Sequence, residues 1–425
     1  MSSMDNQLLH TPDGVRDIYR NECLQKLAVQ NGIKEVFHLF GYEDIETPTF
    51  EFFDIFSKER GSVTTQEMFK LFDRDNNTLV LRPDATPAIA RCVAKYFMDT
   101  EAPLRLCYRA RTFINNSSYQ GRLKETTQTG AEMIGEDSPQ ADGEMIALVV
   151  AALKSSGLKE FQVEIGQVEF FRALADEAGM DEETQEELRE LIENKNYFGV
   201  EELVEARPIK ENLKEIFRKL PQLFGPLKDI TRLKGITDNE RALKAIRRLE
   251  LVQAVLEAYG LDEYVSYDLG MLSKYKYYTG IIFKAYTYGT GDYVVTGGRY
   301  DKLLLQFGTD RPAVGFAIVV DRLLQALSRQ KIEVPIAPAA TAILYEPSAW
   351  RRAISLGCRL REKGTCVQII RKEKDKAVEI YEHSLGEGPI RKLLFLDGIG
   401  EMIHCIHILD GRKEDIPYNQ YERGV

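Results

Sequence analysis

Paired runs of strand-forming residues are the feature that most constrains the fold of this chain. Residues 68–72 and 78–81 flank the turn-forming Asp75-Asn76-Asn77, and residues 104–113 and 126–134 flank a polar loop. Stretches with apolar residues three and four positions apart come before, between and after these pairs. Hairpins flanked by helices predict an α+β domain built around an antiparallel sheet.

The pattern changes twice further along the chain. Strand signals vanish from about residue 168 to 260, where charged residues alternate with leucines, and this stretch predicts a helical insertion. Strand patterns return at 264–269, 277–288 and 292–296. A helix is predicted next, over 315–329. The first domain is therefore expected to span residues 1–330.

A second, smaller domain is expected at the C-terminal end. Prolines interrupt residues 332–340, which are predicted to be a linker. Residues 341–425 then alternate short strands with helices, which indicates a small α/β domain. The sequence predicts a polar tail after the last strand, with no closing helix.

Charge and hydropathy narrow the classes of function. The 425 residues carry a formal net charge of −10, whereas proteins that grip a nucleic-acid backbone usually present a basic face. A small ligand or a protein partner is favoured, and no nucleic-acid partner is expected. No apolar run approaches the roughly 20 residues that span a bilayer, and the first residues lack a signal-peptide pattern. We therefore expect a cytoplasmic protein without a membrane partner.

The six cysteines are scattered without the CxxC spacing of metal sites. The densest cluster of metal-ligating residues is His404-Cys405-Ile406-His407, in a short apolar strand. Alternation along a strand places Cys405 on the opposite face from His404, which favours ordinary strand packing. Neither a metal nor a cofactor is expected.

Seven sequence blocks, in order and at matching spacing, resemble the histidyl-tRNA synthetase family. They are TPDGVRDI at 11–18, TPTFE at 47–51, LRPDAT at 81–86, GR at 121–122 with QTGAE at 128–132, YYTG at 277–280, GGRYD at 297–301, and PAVGFAI at 312–318 with DR at 321–322. The resemblance implies a class II aminoacyl-tRNA synthetase fold, in which helices flank a six-stranded antiparallel sheet. The C-terminal domain resembles a truncated anticodon-binding domain.

Three departures from the family pattern fall on residues of the synthetase reaction. Where the family has Phe-Arg-x-Glu, the arginine that holds the ATP α-phosphate is replaced by Ile114 and the glutamate near adenine by Asn116. The arginine that helps to activate the carboxylate is replaced by Ser273. Each such charge-stabilising donor is typically worth about 3–4 kcal/mol in the transition state. Aminoacylation is therefore predicted to be lost, and no catalytic residue is assigned.

The amino-acid pocket of the family is better preserved. By resemblance, an acid, a threonine, a glutamine and a glutamate contact the α-amino group of histidine, and two tyrosines lie near its imidazole. The matching residues are Asp84, Thr86, Gln128, Glu132, Tyr277 and Tyr278. Asp84 is one methylene shorter than the glutamate of the family. An ammonium group needs acceptors, and carboxylates are the strongest available, so the pattern predicts a histidine-binding site.

The loss of activating arginines beside a retained ligand shell resembles the regulatory subunits of short-form ATP phosphoribosyltransferase. That family implies a non-catalytic subunit of the first enzyme of histidine biosynthesis. It also implies a short catalytic partner subunit, feedback inhibition by histidine, and a homodimer within a hetero-oligomer. Two alternatives remain open: a synthetase-derived sensor that binds RNA or tRNA, and an active histidyl-tRNA synthetase.

Four arginines form a possible anion-binding group beside the former ATP site: Arg109, Arg111, Arg122 and Arg322. The sharper hypothesis is a phosphate-bearing ligand. The alternatives are a solvated loop for the first three and a structural ion pair for Arg322.

Overall fold

The computed structural model describes residues 9–57, 63–116, 122–273, 277–336, 340–386, 388–399 and 401–424. The motif residue Gly121 lies outside these ranges. The chain forms two compact units. One comprises the residues up to 17 and 29–334, and the other comprises 18–28 and 335–425.

The first unit combines a large sheet with helices. Its helices are α1 (Arg20–Leu39, shared with the second unit), α2 (Thr86–Tyr96), α3 (Pro139–Ser155), α4 (Val168–Glu177), α5 (Glu182–Glu193), α6 (Tyr197–Glu205), α7 (Glu211–Lys219), α8 (Leu227–Thr231), α9 (Glu240–Ala258) and α10 (Val320–Arg329). Its strands are β1 (Glu43–Asp44), β2 (Phe50–Phe52), β3 (Lys70–Phe72), β4 (Thr78–Leu81), β5 (Leu104–Phe113), β6 (Glu125–Ile134), β7 (Phe161–Gln167), β8 (Phe224–Gly225), β9 (Val265–Asp268), β10 (Ile281–Thr287), β11 (Val295–Arg299) and β12 (Ala313–Val319).

The large sheet has the strand order β1-β5-β6-β12-β11-β10-β7-β9-β8. Its six consecutive strands from β5 to β7 are all antiparallel to their neighbours, while β1 and β9 add parallel pairings at the two ends. The predicted α+β class and the two predicted hairpins are confirmed. The central six strands agree with the antiparallel sheet that the family resemblance implies.

One predicted helix begins too early. Residues 313–319 form strand β12, whereas the sequence predicted a helix from 315 to 329; only the part from Val320 onward is helical. Every residue of β12 is buried. The strand is central in the sheet, paired with β6 and β11 along its edges, and its Val314, Phe316 and Ile318 belong to the core shared with the helices. A strand buried on both faces lacks polar alternation, so periodicity does not separate it from a buried helix.

The insertion between β7 and β9 is largely helical, as predicted, and α5 begins after the N-cap Asp181, whose carboxylate accepts from Thr184 N–H at 2.8 Å. Apolar faces of α3, α4 and α9 share one core with the sheet, including Ile146, Leu174 and Leu249. The prediction that strand signals vanish here is wrong at β8, a two-residue strand that pairs with β9.

A small sheet, β2-β4-β3, presents an apolar face to solvent. Register places Phe52, Leu79 and Leu71 in one row, with Phe50 beside them on the same strand face. Phe50 and Phe52 are each 56 % exposed and Leu71 is 44 % exposed. The opposite face is buried through Val80. A sheet that is apolar on its solvent side typically marks an interaction surface.

The second unit has a five-stranded sheet, ordered β14-β13-β15-β16-β17. Its elements are β13 (Ala340–Tyr345), α11 (Trp350–Glu362), β14 (Val367–Arg371), α12 (Val378–Gly386), β15 (Ile390–Leu396), β16 (Met402–His407), β17 (Lys413–Pro417) and α13 (Tyr418–Gly424). The predicted polar tail is wrong, because 413–417 pair with β16 as an edge strand and a short helix follows. The charged sequence of β17 carries no strand alternation, and only its pairing with β16 defines it.

None of the helices in the described residues combines the length and the apolar character that a bilayer crossing requires.

Candidate functional site

One face of the large sheet forms the floor of a cavity of about 1160 Å³. Strand alternation sends Thr126 and Gln128 of β6, Ala317 of β12, Thr296 of β11 and Lys284 of β10 to this floor. The cavity is larger than a single amino acid needs, and its volume lies just above the range of about 300–1,000 Å³ that is typical of small-molecule sites.

Glu132 lies on the same face of β6 as Gln128, and it is 1 % exposed. Its Oε1 accepts from the Thr86 hydroxyl at 2.8 Å, and its Oε2 accepts from the Tyr300 hydroxyl at 2.5 Å. Burial raises the pKa of Glu132 to about 8, although both hydrogen bonds favour the ionised form. A proton-bearing carboxyl at neutral pH is thus poised to ionise when a positively charged group binds nearby.

Gly315 makes room for the Glu132 carboxylate. The two residues are register partners on β12 and β6. A Cβ atom built on Gly315 would lie 1.5 Å from Oε2 of Glu132. Any larger residue at 315 would displace the carboxylate, so the requirement for glycine here is steric.

Asp84 follows strand β4 and is fixed from two sides. Its Oδ1 accepts from Ala85 N–H at 2.7 Å, and its Oδ2 accepts from the Tyr277 hydroxyl at 3.4 Å. The side chain is almost entirely buried at the cavity wall. Helix α2 begins at Thr86, so the junction between the loop after β4 and this helix supplies both Asp84 and the hydroxyl that contacts Glu132.

Two buried oxygens on neighbouring strands have no hydrogen-bond partner among the described residues. They are Oε1 of Gln128, on the cavity floor, and the hydroxyl of Tyr108, on β5. A buried acceptor or donor left unpaired costs about 1–3 kcal/mol. The amide oxygen of Gln128 therefore favours a ligand that donates an N–H or O–H group.

Aromatic rings close one side of the same region. The rings of Tyr277 and Tyr278 lie 4.8 Å apart, and Tyr277 meets Tyr300 edge-on at 6.1 Å. Arg172 holds this segment by donating to the carbonyl oxygen of Tyr278 at 2.8 Å. All six residues predicted to bind histidine therefore lie around one region, and five of them are buried.

The three departures from the synthetase pattern also line this cavity: Ile114, Asn116 and Ser273. Asn116 donates from its amide nitrogen to the carbonyl oxygen of Leu123 at 3.2 Å. The uncharged Ile114 and Ser273 therefore stand on the wall where the synthetases have arginines by resemblance.

The structure separates the four arginines predicted as a possible anion-binding group. Arg109 and Arg111 project from the opposite face of β5, where they contact Gln30 and Glu125. Arg122 and Arg322 line the cavity.

Arg322 is already engaged within the protein. Its guanidinium pairs with Asp292 at 2.8 Å and donates to the carbonyl oxygen of Tyr293 at 2.8 Å. It also lies over the Tyr293 ring, 4.7 Å from its centroid. These contacts agree with the structural ion pair that the sequence analysis left open.

A buried ion-pair network lies next to Tyr300 and stabilises this part of the site. Arg299 bonds Asp142 of α3 at 2.7 Å and Asp301 at 3.0 Å, while Arg248 of α9 bonds Asp142 at 2.7 Å. Asp142 is fully buried and Arg299 is 4 % exposed. The network fixes the turn that carries Tyr300.

The sequence analysis did not assign Tyr300, Tyr108 or Gly315 to the site. Tyr300 and Gly315 fall inside blocks that resemble the synthetases, so the signal for these two was present without a role. Tyr108 carries no such signal. Only the pairing of β5 with β6 brings it opposite Gly130, which lies two residues from both Gln128 and Glu132.

Comparisons with known proteins agree on one kind of protein. Residues 14–323 match the sequence profile of the family described as Histidyl-tRNA synthetase. An ATP phosphoribosyltransferase regulatory subunit of Acetivibrio thermocellus is 41 % identical over 361 residues, covering 85 % of this chain and 86 % of that protein. A protein of the same name from Clostridium kluyveri is 37 % identical, covering 90 % of this chain and 98 % of that protein.

Solved structures give the same result for the fold. The chain is similar to an ATP phosphoribosyltransferase regulatory subunit/histidyl-tRNA synthetase from Bacillus halodurans, with a TM-score of 0.82 and 32 % identity, over 92 % of this chain and 99 % of that one. A histidyl-tRNA synthetase from Nostoc gives a TM-score of 0.80 over 98 % of this chain and 99 % of that one. Its 18 % identity makes this a likeness of fold alone.

Proposed function

We propose a function for this chain from its family: it belongs to the histidyl-tRNA synthetase family and, within it, to the ATP phosphoribosyltransferase regulatory subunits. In this proposal the chain activates a short catalytic subunit and makes that enzyme sensitive to histidine. One observation carries this proposal. The cavity keeps a set of acceptors for N–H groups, whereas the arginine positions of the synthetase reaction hold Ile114 and Ser273.

Histidine is the ligand that we assign to the cavity. Asp84 and Glu132 supply carboxylates, and Gln128 supplies a buried amide oxygen that lacks a partner among the described residues. The ammonium group and imidazole N–H of histidine are donors that match these acceptors. Tyr277 and Tyr278 offer ring faces and edges to a flat imidazole.

Aminoacylation is lost in this proposal. The adenylation step builds negative charge on an α-phosphoryl group, and preorganised guanidinium groups stabilise that charge. The hydrocarbon side chain of Ile114 and the hydroxyl of Ser273 cannot replace two arginines. Histidine-dependent exchange of pyrophosphate into ATP tests this directly, and exchange at the rate of a synthetase would contradict the loss.

Feedback control follows from linkage. A ligand regulates a complex only if it binds two of its states unequally, and such coupling is typically about 1–3 kcal/mol. Histidine bound in this cavity would favour an inactive state of the complex, which we place in the cytoplasm as part of this proposal.

Self-association is part of the same proposal. The outer face of the β2-β4-β3 sheet carries Phe50, Phe52 and Leu71 in contact with solvent. Burying such side chains against a second copy of the chain stabilises by about 25 cal/mol per Å² of apolar surface. We propose that this face joins two copies into a homodimer within the hetero-oligomer.

Reconstitution tests the function. The chain is co-purified with a short ATP phosphoribosyltransferase catalytic subunit, and transferase activity is measured with and without histidine. We expect activity only in the mixture, and inhibition by histidine. Absence of a complex, together with binding of tRNA by this chain, would instead support an RNA sensor.

Mapping of the ligand site is a separate measurement. Glu132→Ala is expected to abolish histidine binding in calorimetry. Glu125→Gln is the matched control, because Glu125 lies on the same strand but on the opposite face, paired with Arg111. Unchanged binding by Glu132→Ala would remove Glu132 from the site without affecting the regulatory role.

A further inference from the structure

Strands β16 and β17 bring three metal-ligating atoms together in the second unit. Register pairs Cys405 directly with Glu414, and His407 lies two residues further along β16, on the same face. Sγ of Cys405 lies 3.9 Å from Nε2 of His407, which lies 3.0 Å from Oε1 of Glu414. All three atoms lie within 4.8 Å of one another.

These separations suit ligands of one ion. Around a tetrahedral zinc ion with bonds of about 2.0–2.3 Å, neighbouring ligand atoms lie roughly 3.2–3.8 Å apart. A thiolate and an imidazole select zinc-like cations over magnesium and calcium, which prefer oxygen ligands. We propose that Cys405, His407 and Glu414 bind a thiophilic divalent cation of the zinc class, with water completing the coordination.

The three side chains form a site with a closed base and an open side. Cys405 is fully buried, whereas the side chain of His407 is 22 % exposed and that of Glu414 is 45 % exposed. The ion can therefore enter from solvent past His407 and Glu414. On binding, the Cys405 thiol releases its proton to water and coordinates as a thiolate.

The Arg412 guanidinium contacts the nitrogen of His407 that would bind the ion, so the two compete for it. The guanidinium lies 3.2 Å from Nε2 of His407 and the residue is exposed, so it can swing into solvent when an ion arrives. A cation near a metal site opposes binding of the metal. Removal of the Arg412 side chain is therefore expected to tighten metal binding.

The bound ion would stabilise the pairing of the last strand, β17, with β16. Strand β17 is an edge strand that pairs only with β16 among the described strands, and most of its residues are exposed. A metal held by Cys405 and His407 on β16 and by Glu414 on β17 would add a cross-strand link. The sequence did not predict this site, because its third ligand is supplied by strand pairing.

A second group of potential ligands in the described residues serves as a comparison. His38, Asp44 and Cys107 also lie close together, but the Lys34 ammonium pairs with Asp44 at 3.0 Å. That ammonium already neutralises the carboxylate, so we assign no ion there.

Zinc titration of the full chain by calorimetry tests the proposal, with cobalt absorption as the signature of a metal–thiolate bond. We expect one equivalent of zinc at the hairpin. His407→Ala and Glu414→Gln should each weaken binding at least about tenfold, and Cys405→Ser should abolish the cobalt–thiolate band. His404→Ala, on the opposite face of β16, and His38→Ala, in the comparison group, should leave binding unchanged.

Substitution of Arg412 is expected to change zinc affinity in the opposite direction. Arg412→Ala should tighten zinc binding, while Lys413→Ala, which removes a neighbouring exposed cation, serves as the matched control and should not. A chain that binds no zinc would overturn the proposal. Zinc bound equally well by the wild type and by His407→Ala would also overturn it.

Discussion

The Tyr300 hydroxyl donates a hydrogen bond of 2.5 Å to Oε2 of Glu132, although the two residues are 168 positions apart in the chain. The contact joins the turn after β11 to strand β6, next to the cavity to which we assign histidine. It holds a fully buried carboxyl whose pKa burial raises to about 8.

Histidine binding should release a proton from Glu132. Because the folded-state pKa of this carboxyl lies above its usual value of 4.5, the free protein loses stability as pH rises from about 4.5 through about 8. A bound positive group favours the ionised form, so histidine affinity should rise by up to about fivefold between pH 7 and 8. Calorimetry in buffers with different ionisation enthalpies measures the proton release.

Glu132→Gln is the control for that effect, because the amide keeps the shape of the side chain and cannot ionise. It should bind histidine weakly and without the rise in affinity between pH 7 and 8. A wild-type affinity that is constant across this range would contradict the assignment of Glu132.

Gly315→Ala should damage both the pocket and stability. The added methyl group would lie 1.5 Å from Oε2 of Glu132, and overpacking of this kind typically costs about 1–3 kcal/mol. Thermal unfolding and histidine calorimetry measure the two effects. Gly235→Ala is the matched control, because a Cβ there would meet nothing within 4 Å; equal behaviour of the two variants would argue against the close approach.

Asp142→Ala should destabilise strongly. Its removal leaves the buried Arg299 with Asp301 but without the fully buried carboxylate of Asp142, and breaking a buried ion pair typically costs about 3–5 kcal/mol. Chemical denaturation measures the loss. Arg111→Ala breaks an ion pair whose arginine is 71 % exposed and should cost less than about 1 kcal/mol. Similar losses in the two variants would contradict the structural role of the Asp142 network.

Phe52→Glu should convert the proposed dimer into monomers. The introduced charge would have to be desolvated within an apolar interface, which is costly without a partner charge. Light scattering after size-exclusion chromatography measures the mass. Phe198→Glu alters an apolar side chain of α6 that is 84 % exposed and should leave the dimer intact. A wild-type chain that is monomeric would refute the assignment of the β2-β4-β3 face.

Local pattern in the sequence was sufficient for several elements of this structure. The hairpin of β5 and β6 and the helical insertion were predicted, because turn residues and apolar spacing act over a few positions. Block-wise resemblance also identified the six residues around the cavity, from Asp84 to Tyr278. Their role in histidine binding stays a prediction.

Tertiary structure alone decided the rest. The helix predicted from residue 315 is the central strand β12 up to Val319, because β6 and β11 pair with its two edges and one of its faces packs in the core shared with the helices. Likewise, the sequence named Glu132 but not Tyr300 as part of the site, and Cys405 and His407 but not Glu414. The physical reason is common to these cases: strand pairing sets which distant residues face one another, and that register depends on the whole sheet rather than on any single segment.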